Sequence, residues 1–221
     1  MTETPDLFTP FATRGAVLRN RIGVSPMCQY SCAPDGRATE WHLAHLLARA
    51  AGGAGLVMTE AAAVVPEGRI TGADLGLWED AQLPGHARLA AAIARAGAVP
   101  AIQIAHAGRK ASANAPWIGG VDHEGWTPVG PSNLPYGGML EPRAMTEAEI
   151  GRTVADFVAT AKRAVRAGYG VIEIHAAHGY LLHEFLSPLS NRRNDGWGGD
   201  FAGRSRLLRE VTPAVRAAIP A

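Results

Sequence analysis

The chain has 221 residues, of which 47% are hydrophobic, and a formal net charge of +1 from 21 basic and 20 acidic side chains. That length is enough for one sizeable core or at most two small domains. The balanced charge argues against nucleic acid as a partner, and no apolar run is long enough to span a membrane. Residues 1–10 lack the pattern of a secretory signal, and the 2 cysteines imply no disulfide framework, so we expect a cytoplasmic protein.

Strand and helix patterns alternate along the sequence. Apolar runs predict four strands, at 22–25, 55–60, 99–105 and 170–174. Apolar residues at helical spacing predict four helices, at 41–51, 83–96, 146–166 and 201–218. Thr146 and Glu149 have the spacing of a capping box, whereas His42 and His45 on the first helix are more typical of a structural role. This alternation predicts parallel strands joined by crossover helices.

Four strand–helix units make up half of a (β/α)8 barrel, a fold that takes about 250 residues. A small open α/β sheet has the same pattern, and the alternation alone does not separate the two. The connection 108–145 is long and rich in Gly and Pro, which is typical of an active-site or binding loop. We assign the whole chain, 1–221, to a single domain that includes this loop.

The clearest chemical signal follows the fourth predicted strand, where His175, His178 and Tyr180 lie within six residues. Groups at the carboxyl ends of strands face the active-site side of α/β proteins. Two imidazoles can donate to a carbonyl or phenolate oxygen, and a phenol can supply a proton. The alternatives are a packed histidine pair and a zinc site completed by His183 or Glu184, although the spacing matches no closed structural zinc site.

Polar groups also occur at or near the ends of the first and third predicted strands. Cys28 and Tyr30 follow the first strand, and a free cysteine is usually inert unless a redox group lies beside it. Gln103 lies inside an apolar strand, where its amide either makes a structural hydrogen bond or recognises the edge of a heteroaromatic ring. Lys110 follows that strand and either holds an anionic group or remains solvated.

Six segments together resemble the old yellow enzyme family of flavin-dependent ene-reductases. They occur in family order and cover nearly the whole chain, at 18–22, 25–30, 72–78, 103–110, 175–181 and 183–188. Cys28 and Tyr30 are similar to the bacterial subgroup that includes xenobiotic reductases and thermophilic-like ene-reductases. The resemblance implies an α/β fold of the TIM (β/α)8-barrel type, of which this chain contains about the first four βα units.

The resemblance also implies FMN as the cofactor, with NADPH or NADH as the hydride donor. The residues that it places around the flavin are Ser25, Pro26, Met27, Cys28, Ala61, Gln103 and His175. Those that it places around the substrate are Tyr30, Lys110, His175, His178 and Tyr180. In this scheme Cys28 tunes the flavin potential, the two histidines bind the substrate oxygen and Tyr180 donates a proton.

The reaction implied by the resemblance is hydride transfer from NAD(P)H, through FMN, to the C=C bond of an α,β-unsaturated carbonyl or nitro compound. Family members are longer, so we expect an N-terminal portion whose missing half carries the usual phosphate-binding loops of such barrels. The chain would then be a fragment of a full enzyme, one part of a split barrel that a complementing half-barrel completes, or a half-barrel that assembles with itself as a homo-oligomer, and activity would need the completed barrel. The alternative is a non-catalytic half-barrel that self-associates or pairs with another chain.

Overall fold

A computed structural model describes residues 6–120 and 125–220, so residues 121–124 of the predicted loop lie outside the described part. The strands are β1 (Phe11–Ala12), β2 (Val17–Leu18), β3 (Gly23–Val24), β4 (Leu56–Ala63), β5 (Val99–Ala105), β6 (Val129–Gly130), β7 (Arg143–Ala144) and β8 (Val171–Ile174). The helices are α1 (Glu40–Ala51), α2 (Leu83–Arg95), α3 (Glu147–Ala167), α4 (Leu181–Leu186) and α5 (Phe201–Ala218). Short 3₁₀ turns cover 66–68, 80–82 and 108–110.

The four predicted strands form one parallel sheet in the order β3–β4–β5–β8. The register shifts between Thr59 and Ala61, and Gln103 on β5 pairs with Glu173 on β8. Because all four strands run the same way, their carboxyl ends meet at one edge of the sheet. The segments gathered at that edge are 25–30, 61–63, 106–110 and 175–180.

Each predicted helix and strand is present, with bounds that shift by at most three residues. The capping box of α3 is confirmed, because Glu149 N donates to Thr146 Oγ1 and Thr146 N donates to Glu149 Oε2. The same helix ends at Gly168, whose φ of 95° suits a residue without a Cβ. Local sequence signals therefore set the limits of this helix.

The core lies between the sheet and the helices that cover it. One cluster joins β4 and β5 to α3, α4 and α5 and includes Ile102, Phe157 and Phe185, all fully buried. A second cluster packs α1 and α2 on β4 through residues such as Val57 and Ile93. Each such side chain contributes roughly 1.5–3 kcal/mol on burial. The strand ends that carry the polar segments are thus anchored in a rigid scaffold.

Some elements were not predicted from the sequence. The antiparallel pair β1–β2, the parallel pair β6–β7 and the short helix α4 are too short for periodicity to show. The pair β6–β7 gives the loop 108–145 an ordered base, with Val129 opposite Arg143. In the described part of the chain, no helix combines the length and the apolar character needed to cross a membrane.

Candidate active site

Two histidines and a tyrosine cluster in the turn that follows β8. The ring of His175 lies 5.1 Å from that of His178 and 5.1 Å from that of Tyr180, measured between centroids, and both contacts are edge-on. The turn is anchored because His175 N donates to Ile104 O on β5, and it closes on itself because Tyr180 N donates to Ala177 O. The two imidazoles and the phenol therefore lie together at the carboxyl edge of the sheet, as the sequence predicts.

The protonation states of this cluster suit donation of hydrogen. Burial, followed by the nearby His178, lowers the pKa of His175, so this imidazole is neutral at pH 7 and keeps one N–H. Burial, with smaller contributions from Cys28 and Asp74, raises the pKa of Tyr180 to about 12. The phenol thus holds its proton at neutral pH and is an acid rather than a base.

The segment after β3 brings Cys28 and Tyr30 to the same edge. Burial first, then the carboxylates of Asp74 and Glu60, raise the pKa of the Cys28 thiol to about 12. The thiol is therefore protonated at neutral pH, which argues against a nucleophilic role. Burial also raises the pKa of Tyr30, which hydrogen-bonds to Cys28 and has a φ of 48° in the left-handed region.

A buried carboxylate and imidazole support the segment 25–30. Gln29 N donates to Glu60 Oε2 at 2.7 Å, and Glu60 Oε1 lies 2.9 Å from His42 Nε2. The second contact is electrostatic, because Glu60 Oε1 has no well-aligned hydrogen bond in the described residues. Thr39 N donates to His42 Nδ1, which leaves the proton of a neutral ring on Nε2, facing the carboxylate.

Lys110 enters the cluster from the 3₁₀ turn after β5. Its Nζ donates to His178 O at 2.7 Å and lies 5.4 Å from the centroid of the Tyr180 ring. The ring of Tyr136, from the long loop, lies on its other side at 4.1 Å. The lysine therefore connects the histidine turn to the loop 108–145.

The same loop reaches the opposite side of the site through Trp117. The Trp117 ring lies 5.8 Å from the Tyr30 ring in an edge contact, although 69% of the tryptophan is exposed. Ile118 beside it is 68% exposed. Exposed apolar groups next to a cleft are typical of a ligand-binding rim. The prediction of a functional loop is consistent with this arrangement.

Small side chains line a cavity between the strand ends and Tyr180. The lining residues are Ala61, Ala63, Gly68, Ile70, Asp74, Ala105, Ala107 and Tyr180. Asp74 is nearly inaccessible and accepts hydrogen bonds from Ile70 N, Thr71 N and Thr71 Oγ1. Burial raises the pKa of its carboxyl to about 6. The cavity thus has a mainly apolar wall with one carboxyl group.

Other predicted site residues lie at this edge without touching the histidine turn. The Gln103 amide nitrogen donates to Oε1 of Glu173 on the neighbouring strand β8. This is the structural hydrogen bond that was one of the two roles predicted for the amide. Ser25 and Met27 are exposed and Pro26 is half-buried. The described residues contain no group of three or more side chains arranged to hold a metal ion, and His183 accepts a hydrogen bond from Gly179 N. The zinc alternative therefore has no support in the described residues.

Three residues of the site were not predicted from the sequence. Glu60 ends an apolar run, and a carboxylate in a buried strand needs partners, which is the signal that could have revealed it. Asp74 belongs to a segment that carries the resemblance, but nothing in its spacing indicates a position at the cavity. Trp117 lies in a loop without periodicity, so only its contact with Tyr30 identifies it.

Comparisons with known proteins identify the family and the fold. A profile of the family described as "NADH:flavin oxidoreductase / NADH oxidase family" matches residues 6–221. An NADPH dehydrogenase of Bacillus licheniformis is 49% identical over 212 residues, which cover 95% of this chain and 59% of that protein. The solved structure of an old yellow enzyme homologue from Zymomonas mobilis has a TM-score of 0.86 at 32% identity and covers 97% of this chain. Morphinone reductase has a TM-score of 0.86 at 31% identity.

The chain is shorter than these similar proteins. It spans 60% of the Zymomonas mobilis structure, 59% of the morphinone reductase chain and 59% of the Bacillus licheniformis protein. The matched part includes all the segments gathered at the carboxyl edge of the sheet.

Proposed function

Because the chain belongs to the NADH:flavin oxidoreductase / NADH oxidase family, we propose that it forms the flavin-ring and substrate side of an ene-reductase. Its fold is that of the family's TIM (β/α)8 barrel, of which it contains about the first four βα units. The observation that carries the proposal is the cluster of His175, His178 and Tyr180. The ring centroids of His178 and Tyr180 each lie 5.1 Å from that of His175. Two imidazole donors beside a protonated phenol suit a substrate that needs polarisation and a proton.

FMN is the cofactor that fits the residues present. Side chains as small as Ala61 and Ala63 line the strand ends, so in this proposal a planar ring can lie close to the main chain there. The Gln103 side-chain nitrogen is used by Glu173, which leaves its oxygen available to an N–H on the edge of a heteroaromatic ring. Ser25, Pro26, Met27 and Cys28 line the same edge in this proposal. When bound, FMN supplies the chemistry of accepting a hydride from NADPH or NADH and delivering it to a substrate.

The substrate we propose is an α,β-unsaturated carbonyl or nitro compound. His175 and His178 donate to its oxygen and withdraw electron density, so the β-carbon becomes electrophilic. Tyr180 holds a proton at neutral pH and donates it to the α-carbon. Tyr30 and Lys110 shape the pocket, because both flank the cluster and the lysine binds the His178 carbonyl oxygen.

The remaining partners follow from the same proposal. Activity requires the rest of the barrel, whether in the same polypeptide, in a complementing half-barrel or in a homo-oligomer. Cys28 and Cys32 are free thiols, which suits a reducing compartment, and the cytoplasm remains our prediction.

Stopped-flow kinetics on the FMN-loaded enzyme, completed by the rest of the barrel, test the proposal. Tyr180→Phe should slow the oxidation of reduced flavin by an enone by about 10²–10⁴-fold, because the general acid is lost. Reduction of the flavin by NADPH should stay within about threefold, because that step needs no proton from the phenol. Tyr136→Phe is the matched control, since it removes a phenol near Lys110 that has no role in proton donation. Equal slowing of both half-reactions by Tyr180→Phe would contradict the assigned role.

A further inference from the structure

Glu184 is a carboxyl group buried directly behind the histidine turn. It is 1% exposed and lies in α4, where its backbone nitrogen donates to Tyr180 O at 2.8 Å. Its Oε1 accepts a hydrogen bond from Arg109 N at 2.9 Å. The side chain thus connects the helix that follows Tyr180 to the 3₁₀ turn that carries Lys110.

The turn is shaped to receive this carboxyl. Gly108 has a φ of 61°, and a Cβ at this position would lie 2.3 Å from Glu184 Oε1. On the other side, a Cβ at Gly130 would lie 3.1 Å from Glu184 Oε2. The carboxyl therefore packs against the main chain of two glycines, at a distance that a side chain at position 108 would not permit.

The buried carboxyl has no ion pair in the described residues. The Arg109 guanidinium turns away to donate to Leu134 O, and Glu184 Oε2 has no hydrogen-bond partner. An unpaired carboxylate is costly to bury. Burial accordingly raises the pKa of Glu184 to about 8, against the opposing effects of the Arg109 N–H and of the charges on Arg109 and Lys110.

The other charged or titratable groups near α4 have partners of their own. His183 on the same helix accepts from Gly179 N. Arg204 on α5 donates to Leu186 O at the end of α4. These groups therefore supply no charged partner for Glu184, and the charges on Arg109 and Lys110 only partly offset the effect of its burial.

We propose that Glu184 is a positioning residue whose buried carboxyl holds the turn bearing Lys110 against the helix that follows Tyr180. Its Oε1 acts on Lys110 and Tyr180 only through the backbone, and the lysine ammonium lies 5.4 Å from the phenol ring. The inference rests on the proposed function, in which Tyr180 donates the proton. Loss of the link should disturb the enone half-reaction while leaving the nicotinamide half-reaction nearly unchanged.

Kinetics of three variants of the FMN-loaded enzyme, completed by the rest of the barrel, test this role. Glu184→Ala should slow enone-dependent flavin oxidation about tenfold, since small misplacements of a reacting group are costly. Glu184→Gln should restore the rate to within about threefold, because an amide oxygen still accepts from Arg109 N. Glu210→Gln is the matched control, a carboxylate paired with Arg206 on α5, away from the site. A glutamine variant as slow as the alanine variant, or an alanine variant that slows both half-reactions equally, overturns the proposal.

A second measurement needs neither flavin nor substrate. The pKa of Glu184 is raised on folding, so its contribution to stability is complete below pH 4.5 and is lost as the pH rises to about 8. Between pH 4.5 and about 8, the melting temperature of the wild type should therefore fall relative to that of Glu184→Gln. Above this range the difference between the two melting temperatures should stay constant. If the melting temperatures of the wild type and Glu184→Gln differ by the same amount at every pH, the inference is overturned. This test remains available if Glu184→Ala does not fold. A completed, FMN-loaded wild type that reduces no enone, together with the expected melting curves, would refute the proposed function alone.

Discussion

The turns after β3 and β8 each contain a residue in a strained backbone conformation, but different contacts hold the two turns in place. Each has a non-glycine residue in the left-handed region, Tyr30 with a φ of 48° and His178 with a φ of 58°. Such a conformation costs roughly 1–2 kcal/mol and is found mainly where the surroundings impose it. Both residues belong to the proposed substrate pocket, so strain accompanies function on both sides of the site.

The two turns differ in what holds them. The turn 175–180 uses several contacts, among them His175 N to Ile104 O, Tyr180 N to Ala177 O and the Lys110 ammonium on His178 O. The segment 25–30 relies on a buried side chain of β4, Glu60, which accepts from Gln29 N and faces His42. We infer that the first turn tolerates the loss of one contact, whereas the segment 25–30 has Glu60 as its main buried support, beside exposed contacts such as Trp41 Nε1 to Gln29 Oε1.

The largest predicted effect comes from removing that carboxylate. Glu60→Ala removes the acceptor of Gln29 N and the carboxylate that faces His42 Nε2, and each buried donor left unsatisfied costs about 1–3 kcal/mol. Urea unfolding should show this loss of stability. Glu210→Gln, which breaks an exposed pair with Arg206, should change the free energy of unfolding by about 0.5 kcal/mol or less. Similar losses in the two variants would refute the dependence on Glu60.

The next effect is a pH dependence that arises behind the turn 175–180. His106 O accepts from Leu181 N, and burial lowers the pKa of its imidazole to about 4. The unfolded chain therefore binds more protons below pH 6.5, and the free energy of unfolding should fall by about 3 kcal/mol as the pH drops from 6.5 to 4. His86, whose pKa burial also lowers to about 4, adds a similar slope.

The contribution of His106 can be isolated with an amide. Urea unfolding of His106→Gln between pH 4 and 7 should show a shallower slope than the wild type, because the amide does not titrate. An unchanged slope would mean that the imidazole is not held neutral in the folded protein.

A smaller effect on stability is expected from relieving the positive φ of Tyr30 and of His178. Replacing Tyr30 with Gly should leave the protein about 1 kcal/mol more stable than replacing it with Ala, because glycine adopts positive φ without strain. The same comparison at His178 should give a difference of the same sign and size. Thermal melts of the four variants measure both differences. A difference at only one position would show that the two turns are not equally strained.

The smallest expected effect is that of Lys110→Met on stability. The lysine supplies one partly exposed hydrogen bond to His178 O, and the backbone contacts of the turn remain, so the loss should be about 0.5 kcal/mol. Urea unfolding of Lys110→Met and Glu60→Ala under the same conditions compares the loss in free energy of unfolding on the two sides of the site. A loss as large as that of Glu60→Ala would remove the distinction on which the comparison rests.

Much of the fold could be predicted because its signals are local. The strand at 99–105 and the helix at 201–218 match the observed β5 and α5, since apolar periodicity reports which face an element buries. The position of His175, His178 and Tyr180 after the last strand places them at the carboxyl edge once the sheet is parallel. Their roles remain proposals, as do those of Cys28 and Gln103.

The sequence by itself thus determined the order of the four sheet strands and of the four long helices, the limits of α3 and the edge of the sheet where the polar groups collect. Only the tertiary structure decided which buried groups support them: Glu60 lies 31 positions from Gln29, and Glu184 lies 75 positions from Arg109. No periodic or capping pattern encodes such pairs. They form because packing brings distant main-chain N–H groups to buried carboxyls that would otherwise lack partners.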